Sequence, residues 1–271
     1  MSKIPVSAII VAKNEEANIG RCLEALSGFD EIVIVDSNSQ DATVKIARDK
    51  GARIFPFYWN GRYPKKRQWA LENIDISHDW VFFVDADEVV TQKLSKSIKR
   101  IFENGTPRYV GYFIKGCYVW KGKLLSFGMT NNKLALFDRR YIEFPLVNDL
   151  DIPGMGEIEG HYQPVLKKGA SDMRIGRLRT PLIHHAADDI ERWKERHVRY
   201  ALWENEMIAR NAYPEDPSFL RQKLKEIFRS LPFRGMVVFV YSYILRLGFL
   251  DGKPGYEFAK AKSSYYCCRQ I

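Results

Sequence analysis

Apolar and amphipathic stretches alternate through the first hundred residues of the chain. VSAIIVA, EIVIV, RIFPF and WVFFV are nearly continuous apolar runs of strand length, and ANIGRCLEALS, DATVKIARDKG, KKRQWALENI and TQKLSKSIKRIF between them place apolar residues at helical spacing. Four β-then-α units in succession predict a doubly wound α/β domain. Parallel neighbours need crossover connections, and the helices that supply them cover both faces of the sheet. Ligands of such sheets bind beyond the carboxyl ends of the strands.

Downstream the pattern changes twice. From Tyr109 to Arg179 short β-like runs (YVGYFI, YVW, KLALF) are separated by Gly and Asn, which predicts an irregular, partly antiparallel extension of the sheet. Residues 188–211 read as a helix, with Asp188 or Asp189 as N-cap and Ile190, Trp193, His197, Ala201 and Ile208 near one face. Pro214 and Pro217 then break the chain. Residues 218–231 are amphipathic, with Phe219, Leu220, Leu224, Ile227 and Phe228 on one side and Arg221, Lys225 and Arg229 on the other. These shifts divide the chain into 1–104, 105–211 and 212–271.

Composition narrows the class. With 271 residues, 46% hydrophobic and 28% charged, the chain can bury a substantial core and is not a disordered polymer. Its four cysteines form no CxxC pair, which fits a reducing compartment and neither a zinc knuckle nor a disulfide framework. The net charge of +9 is local: residues 218–271 hold ten Lys/Arg against three acids. The first apolar run is short and meets Lys13, Asn14, Glu15 and Glu16 at once, so it reads as a strand rather than a leader. Residues 235–250 contain Arg246 and are too few to span ~30 Å of hydrocarbon as a helix. Lying on a membrane is the expectation, crossing it is not.

The sharpest chemical feature is WVFFVDADEVV, a buried strand that delivers Asp85, Asp87 and Glu88 at its carboxyl end. Three unpaired carboxylates are costly to bury together, so they are expected to face solvent, a cation or both. A Mg²⁺ or Mn²⁺ ion that also holds phosphates suits such a site; a strand end followed by a helix cap is the alternative. Asp36 ends the second strand, placed to accept hydrogen bonds from a base or ribose, or to form a turn before Asp41 as helix cap. After the first strand, a helix start offers N–H groups and the favourable end of its dipole. Neither G-x-G-x-x-G nor G-x-x-x-x-G-K occurs, against a dinucleotide dehydrogenase or a P-loop NTPase.

SAIIVAKNEEANIGRCLEAL, IVIVDSNSQDAT and WVFFVDADE together resemble the nucleotide-sugar-binding half of family 2 glycosyltransferases. Farther on, GEIEGHYQP, LIHHAADDIERWKERHVRYALWE and LGFLDGKPG resemble the branch that includes bacterial lipopolysaccharide-core β-1,4-glucosyltransferases. The resemblance implies a GT-A fold, a Rossmann-like, mostly parallel sheet flanked by helices, here with a C-terminal amphipathic helical extension. It implies inverting transfer of glucose or a related hexose from a UDP-sugar to a hydroxyl of a lipid-linked glycan, such as lipopolysaccharide core or another cell-surface polysaccharide precursor.

On that resemblance Asp36 contacts uracil or its ribose, Asp85 ribose or metal, and Asp87 the Mg²⁺ or Mn²⁺ that bridges the diphosphate. Ala12, Asn14, Glu15, Lys66 and Ala86 are the further donor-binding candidates. His184 reaches the diphosphate or the metal, or is a satisfied structural histidine. Glu159 matches the glutamate of a V-H-E-like motif, and Glu157 stands where that motif has histidine; these two are the candidates for the base. Lys65-Lys66-Arg67 replaces a Q-K-N-like segment and reads as a phosphate contact or a solvated helix start. Tyr118, Trp120 and Phe127 are sugar-stacking or core aromatics.

A polyprenyl-phosphate acceptor is the nearest enzymatic alternative, and a basic nucleic-acid-binding protein the alternative outside that class. Val237, Val238, Phe239, Ile244 and Leu247 in the basic tail favour lipid over nucleic acid. The expected partners are a nucleotide-sugar donor, a glycolipid or lipid-linked oligosaccharide acceptor and an anionic membrane surface. The expected location is cytoplasmic, peripheral on the inner face of the bacterial cytoplasmic membrane.

Overall fold

The computed structural model describes residues 2–268 apart from 104, 153–154, 158–161, 188–189, 215 and 217. Strands β1 (Ile4–Ala12), β2 (Phe29–Asp36), β3 (Arg53–Pro56) and β4 (Trp80–Asp85) alternate with helices α1 (Glu16–Ala25), α2 (Thr43–Asp49) and α3 (Lys66–Asn73). A short β5 (Glu88–Val89) leads into α4 (Gln92–Glu103). Next come β6 (Gly111–Trp120), β7 (Lys123–Leu124), β8 (Asn131–Asp138), β9 (Ile142–Glu143), β10 (Val165–Leu166) and β11 (Ile175–Ala187). Helices α5 (Ile190–Ala209), α6 (Phe219–Ser230), α7 (Arg234–Phe239) and α8 (Lys253–Cys268) complete the chain, with a π-helical turn (Val240–Leu245) and a 3₁₀ turn (Gly248–Asp251) before α8.

The main sheet runs β3-β2-β1-β4-β8-β6-β11-β5, with β7 paired to β6; β9 and β10 form a separate antiparallel pair. β3, β2, β1 and β4 are mutually parallel; the interiors of β2, β1 and β4 are buried on both faces, as their continuous apolar runs require, while β3 is a partly exposed edge strand. β4 pairs antiparallel with β8, and β11 with β5. The α/β sheet flanked by helices, its partly antiparallel extension and the C-terminal helices are therefore as expected.

The chain divides into two compact units, one comprising residues 1–116, 132–144 and 164–184, the other 117–131, 145–163 and 185–271. In the first, Val6, Ala8 and Ile10 of β1 pack with Phe82 and Val84 of β4, Ile19 and Leu23 of α1, and Leu94 and Ile98 of α4.

In the second unit Trp120, Leu125, Trp193 and Phe258 form a core, with Tyr118 and Met129 packed on it. Tyr118 and Trp120 are thus core rings and not sugar platforms; Trp120 meets Trp193 and Phe258 edge-on, with centroids 5.6 and 5.5 Å away. The LGFLDGKPG segment has a structural role here. The buried Asp251 carboxylate accepts the backbone N–H groups of Ser126 and Phe127 at 3.2 and 2.9 Å. A Cβ at Gly255 would stand 2.0 Å from the Gly248 carbonyl oxygen, so only glycine permits this approach. Residues 235–250 are broken between α7 and the two turns, and among the described residues no helix is long and apolar enough to cross a membrane.

Candidate active site

Sheet register brings the carboxyl ends of three strands level. Ala12 of β1 is paired with Asp36 of β2, and Val11 of β1 with Asp85 of β4. The loops that follow are tied to one another. Asn14, whose φ of 55° suits the side chain's tolerance of the left-handed region, donates its N–H to Ser39 Oγ (2.9 Å) and accepts from Gln40 N–H on Oδ1 (2.8 Å). Glu15 N–H goes to Thr43 Oγ1 and Glu16 N–H to Asp41 Oδ2, at 2.7 and 3.1 Å. At the start of α1 the N–H groups of Glu15 and Glu16 are therefore taken by Thr43 of α2 and Asp41 of the loop before it. Asp36 is buried and holds its own turn, accepting from Ser39 N–H and Oγ at 2.9 and 2.5 Å. Beside it Asp41 accepts from Thr43 N–H and Oγ1, one residue before Ala42, which holds the N-cap position of α2 that the alternative reading gave to Asp41.

Of the acids at the end of β4 and in the turn after it, Asp87 and Glu88 are turned away from solvent, while the Asp85 side chain is 31% exposed. Glu88 is 1% exposed and Asp87 7%, and each carboxylate has a cationic or ionisable neighbour. Lys133 of β8 donates to Asp85 Oδ2 at 3.1 Å and to Glu88 Oε2, while Arg67 of α3 donates to Asp85 Oδ1 at 2.9 Å. His184 Nε2 lies 3.2 Å from Asp87 Oδ1. Of the expected surroundings, solvent, a cation or both, the structure shows cationic side chains: burying these carboxylates is tolerable only because three distant segments supply positive groups.

Two strand pairings deliver those groups. β4 and β8 pair with Phe82 opposite Leu136, and the same register carried to the end of β4 sets Lys133 opposite Asp85. In the β5–β11 pair His184 stands opposite Glu88. The protonation states follow. Burial pushes the Asp85 carboxyl up, but Lys133 and Arg67 overcome this and hold it well below the usual carboxylate range. Glu88 is raised, by burial first and by the Asp85 charge, with Lys133 offsetting only part. His184 is raised although burial alone would lower it, because Asp87, Glu88 and Asp85 favour the imidazolium.

Lys65 and Lys66 are buried, so the KKR run is not a solvated helix start; the Lys65 ammonium lies 5.6 Å from the Tyr63 ring centroid. Ala12 and Ala86 are buried. Glu157 is half-buried in a turn of the second unit, and Glu159 and His161 lie outside the described residues, as do Asp188 and Asp189. Ala12, Asn14, Glu15, Asp36, Lys66, Asp85, Ala86, Asp87 and His184 all belong to the first unit. Lys133 was missed from sequence because KLALF reads only as a strand, and Arg67 because it belongs to a basic run. Ser37 was missed too: buried after Asp36, its Oγ has no hydrogen-bond partner among the described residues.

Comparison with known proteins agrees with the sequence resemblance. The profile of Glycosyl transferase family 2 matches residues 7–149. An uncharacterized glycosyltransferase of Rickettsia typhi is 34% identical over 143 residues, 51% of this chain and 48% of the relative. The lipopolysaccharide core biosynthesis glycosyltransferase LpsC of Rhizobium meliloti is 41% identical over 104 residues, 36% of each chain. The chain spans about half the length of the first of these curated relatives and less of the second. Among solved structures, glucosyl-3-phosphoglycerate synthase from Mycobacterium tuberculosis, in complex with Mn²⁺, UDP and glucosyl-3-phosphoglycerate, is similar with a TM-score of 0.32 and 23% identity over 42% of this chain and 44% of that one. The profile match covers more than half of the chain, including the ends of β1, β2 and β4 that carry the acids: the protein belongs to glycosyl transferase family 2.

Proposed function

We propose that the protein is an inverting, metal-dependent glycosyltransferase that moves glucose or a related hexose from a UDP-sugar to a hydroxyl of a lipid-linked glycan. The observation that carries this reading is that the register sets Asp36 and Asp85 at the carboxyl ends of the strands on either side of β1, with the Asp87–His184 pair formed two residues beyond Asp85. Residues 1–104 then hold the nucleotide sugar, 105–211 the acceptor, and 212–271 associate with the membrane. The core-biosynthesis relative supports a glycolipid acceptor; in this reading the protein works peripherally on the inner face of the cytoplasmic membrane.

The residues fit a hard divalent cation. Two ligands of one ion at ~2.1 Å stand about 3 Å apart when adjacent, close to the 3.2 Å between Asp87 Oδ1 and His184 Nε2. Glu88 Oε1 is buried without a hydrogen-bond partner among the described residues. Among those residues no three His, Cys, Asp or Glu are disposed around one point, so the protein would supply a pair of ligands and leave the rest to phosphate and water. Mg²⁺ or Mn²⁺ bound there would stabilise negative charge on the departing diphosphate.

Asp36 accepts from uracil or ribose in this reading, exchanging its Ser39 hydrogen bonds for those of the donor. Ala12, Asn14, Glu15, Lys66 and Ala86 line the donor site. Lys133 and Arg67 keep Asp85 ionised, as an acceptor for ribose or a charge beside the metal. Glu159, or Glu157 in its place, takes the proton of the acceptor hydroxyl as its oxygen bonds to the anomeric carbon; the bond to the diphosphate breaks on the opposite face and the nucleotide leaves with the electron pair. The test is a donor screen with purified protein and Mn²⁺ or Mg²⁺, following nucleotide release and then transfer to extracted lipid-linked glycans. Nucleotide release with a UDP-sugar and transfer to glycolipid support the reading; turnover of no nucleotide sugar overturns it.

A further inference from the structure

Helix α6 faces the opposite way from an ordinary surface helix. Arg221 Nε and Lys225 Nζ reach Asp216 Oδ2 at 3.3 and 2.7 Å, the Asp216 side chain being wholly buried, and the Arg229 guanidinium stacks 3.5 Å from the Tyr213 ring centroid. Phe219, Leu220, Leu224 and Ile227 are 78, 69, 58 and 58% exposed, and no residue of the helix is buried. Arg221, Lys225 and Arg229 therefore do not offer a basic face to an anionic leaflet. A buried carboxylate and an aromatic ring claim them, since Asp216 without cations would be costly to bury.

Exposure continues along the chain at Phe233, Met236, Ile244, Leu245, Phe249 and Leu250. Exposed Lys223, Arg246 and Lys253 and the rings of Tyr241 and Tyr256 are interleaved with these apolar side chains. So much exposed apolar surface within one segment goes beyond the scattered exposures of a soluble monomer. A protein partner would need a fixed complementary shape over an interface core depleted of lysine. Here the apolar residues run over several short successive elements with bases among them. The boundary between headgroups and acyl chains accepts any shape, buries apolar side chains, pairs bases with phosphates and suits tyrosine rings.

We infer that the surface from α6 to the start of α8 inserts into the headgroup–acyl boundary of a membrane, anchored by its apolar side chains, while Arg221, Lys225 and Arg229 of α6 act as internal braces. This rests on the reading of a lipid-linked acceptor, for which it supplies the platform. Its test needs neither donor nor acceptor, so it stands or falls separately from the transfer assay.

The full chain is floated with vesicles. Binding to neutral phosphatidylcholine vesicles is expected, persisting at high salt, with a several-fold increase on anionic phosphatidylglycerol that salt removes. Leu220→Glu combined with Leu224→Glu should lower partitioning ~10-fold or more, since two apolar side chains leave the membrane and two charges would enter it. Phe219→Glu with Ile227→Glu is the independent pair. None of the four lies in a core, so circular dichroism and the unfolding midpoint should hold for both variants. Association confined to anionic vesicles and lost in salt returns the anchor to the bases and overturns the inference. So does vesicle binding that both variants keep, or the absence of binding, with or without a dimer that the same substitutions dissolve.

Discussion

Lys133 Nζ lies 3.1 Å from Asp85 Oδ2, and the same ammonium bonds Glu88, although 48 residues of chain separate Lys133 from Asp85. Burial would lower the Lys133 pKa, but the two carboxylates raise it, so one cation neutralises acids that neither the strand nor its following turn could hold alone. Lys133→Met is expected to destabilise the fold by roughly 3–5 kcal/mol, the scale for a buried charge left without its partner. Adding Glu88→Gln should restore part of that loss. Denaturant midpoints of the two single variants and the double variant measure the coupling; strictly additive effects would separate Lys133 from Glu88 energetically.

In the proposed mechanism, metal dependence would rest on Asp87 and His184. Asp87→Asn should abolish transfer while leaving the unfolding transition in place, and chelation should do the same reversibly to the unmodified protein. Activity assayed with metal content measured directly is the check. Full transfer by metal-free protein would remove the cation from the mechanism.

For the base, Glu159→Gln keeps shape and removes basicity. Donor affinity should survive while the transfer rate falls ~10²-fold or more. Single-turnover rates and donor titration separate the two effects. If Glu157→Gln is the dead variant and Glu159→Gln stays active, the role belongs two residues upstream.

A pH effect is expected from Lys262. Its ammonium is buried beside the rings of Tyr118, Trp193 and Phe258, with centroids 4.9, 5.5 and 5.7 Å away. His197 Nδ1 is 2.8 Å from the Trp193 carbonyl, which can only accept, so the neutral ring presents Nε2 as the acceptor for Lys262 at 3.4 Å. Burial, and then the Arg196 charge, push Lys262 down to about 8. The unfolded chain binds the proton more tightly than the folded one, so stability contributed by this group rises between about pH 8 and the ordinary lysine value of ~10.4, by an amount on the order of 1–3 kcal/mol. Denaturant midpoints of the protein and of Lys262→Met across that range should diverge accordingly. Parallel curves would mean that Lys262 titrates as an ordinary lysine.

The order of β and α units through α4, and the place where Asp36, Asp85 and Asp87 emerge, were legible because they depend on local periodicity: an apolar strand covered on both faces ends where charge begins, and a parallel sheet sets such ends side by side. Helix α5 was legible for the same reason, its apolar spacing reading as a helix over 188–211 where the structure has Ile190–Ala209. Lys133, Arg67 and His184 reach the acids only through strand pairing and packing across long stretches of chain. KLALF reads as a strand wherever it pairs, and the register that aims one side chain at one carboxylate is chosen by the whole sheet. The direction of α6 was decided the same way. Its periodicity defines two faces, but only the tertiary structure decides that the basic one turns toward Asp216, whose buried carboxylate would be costly without cations.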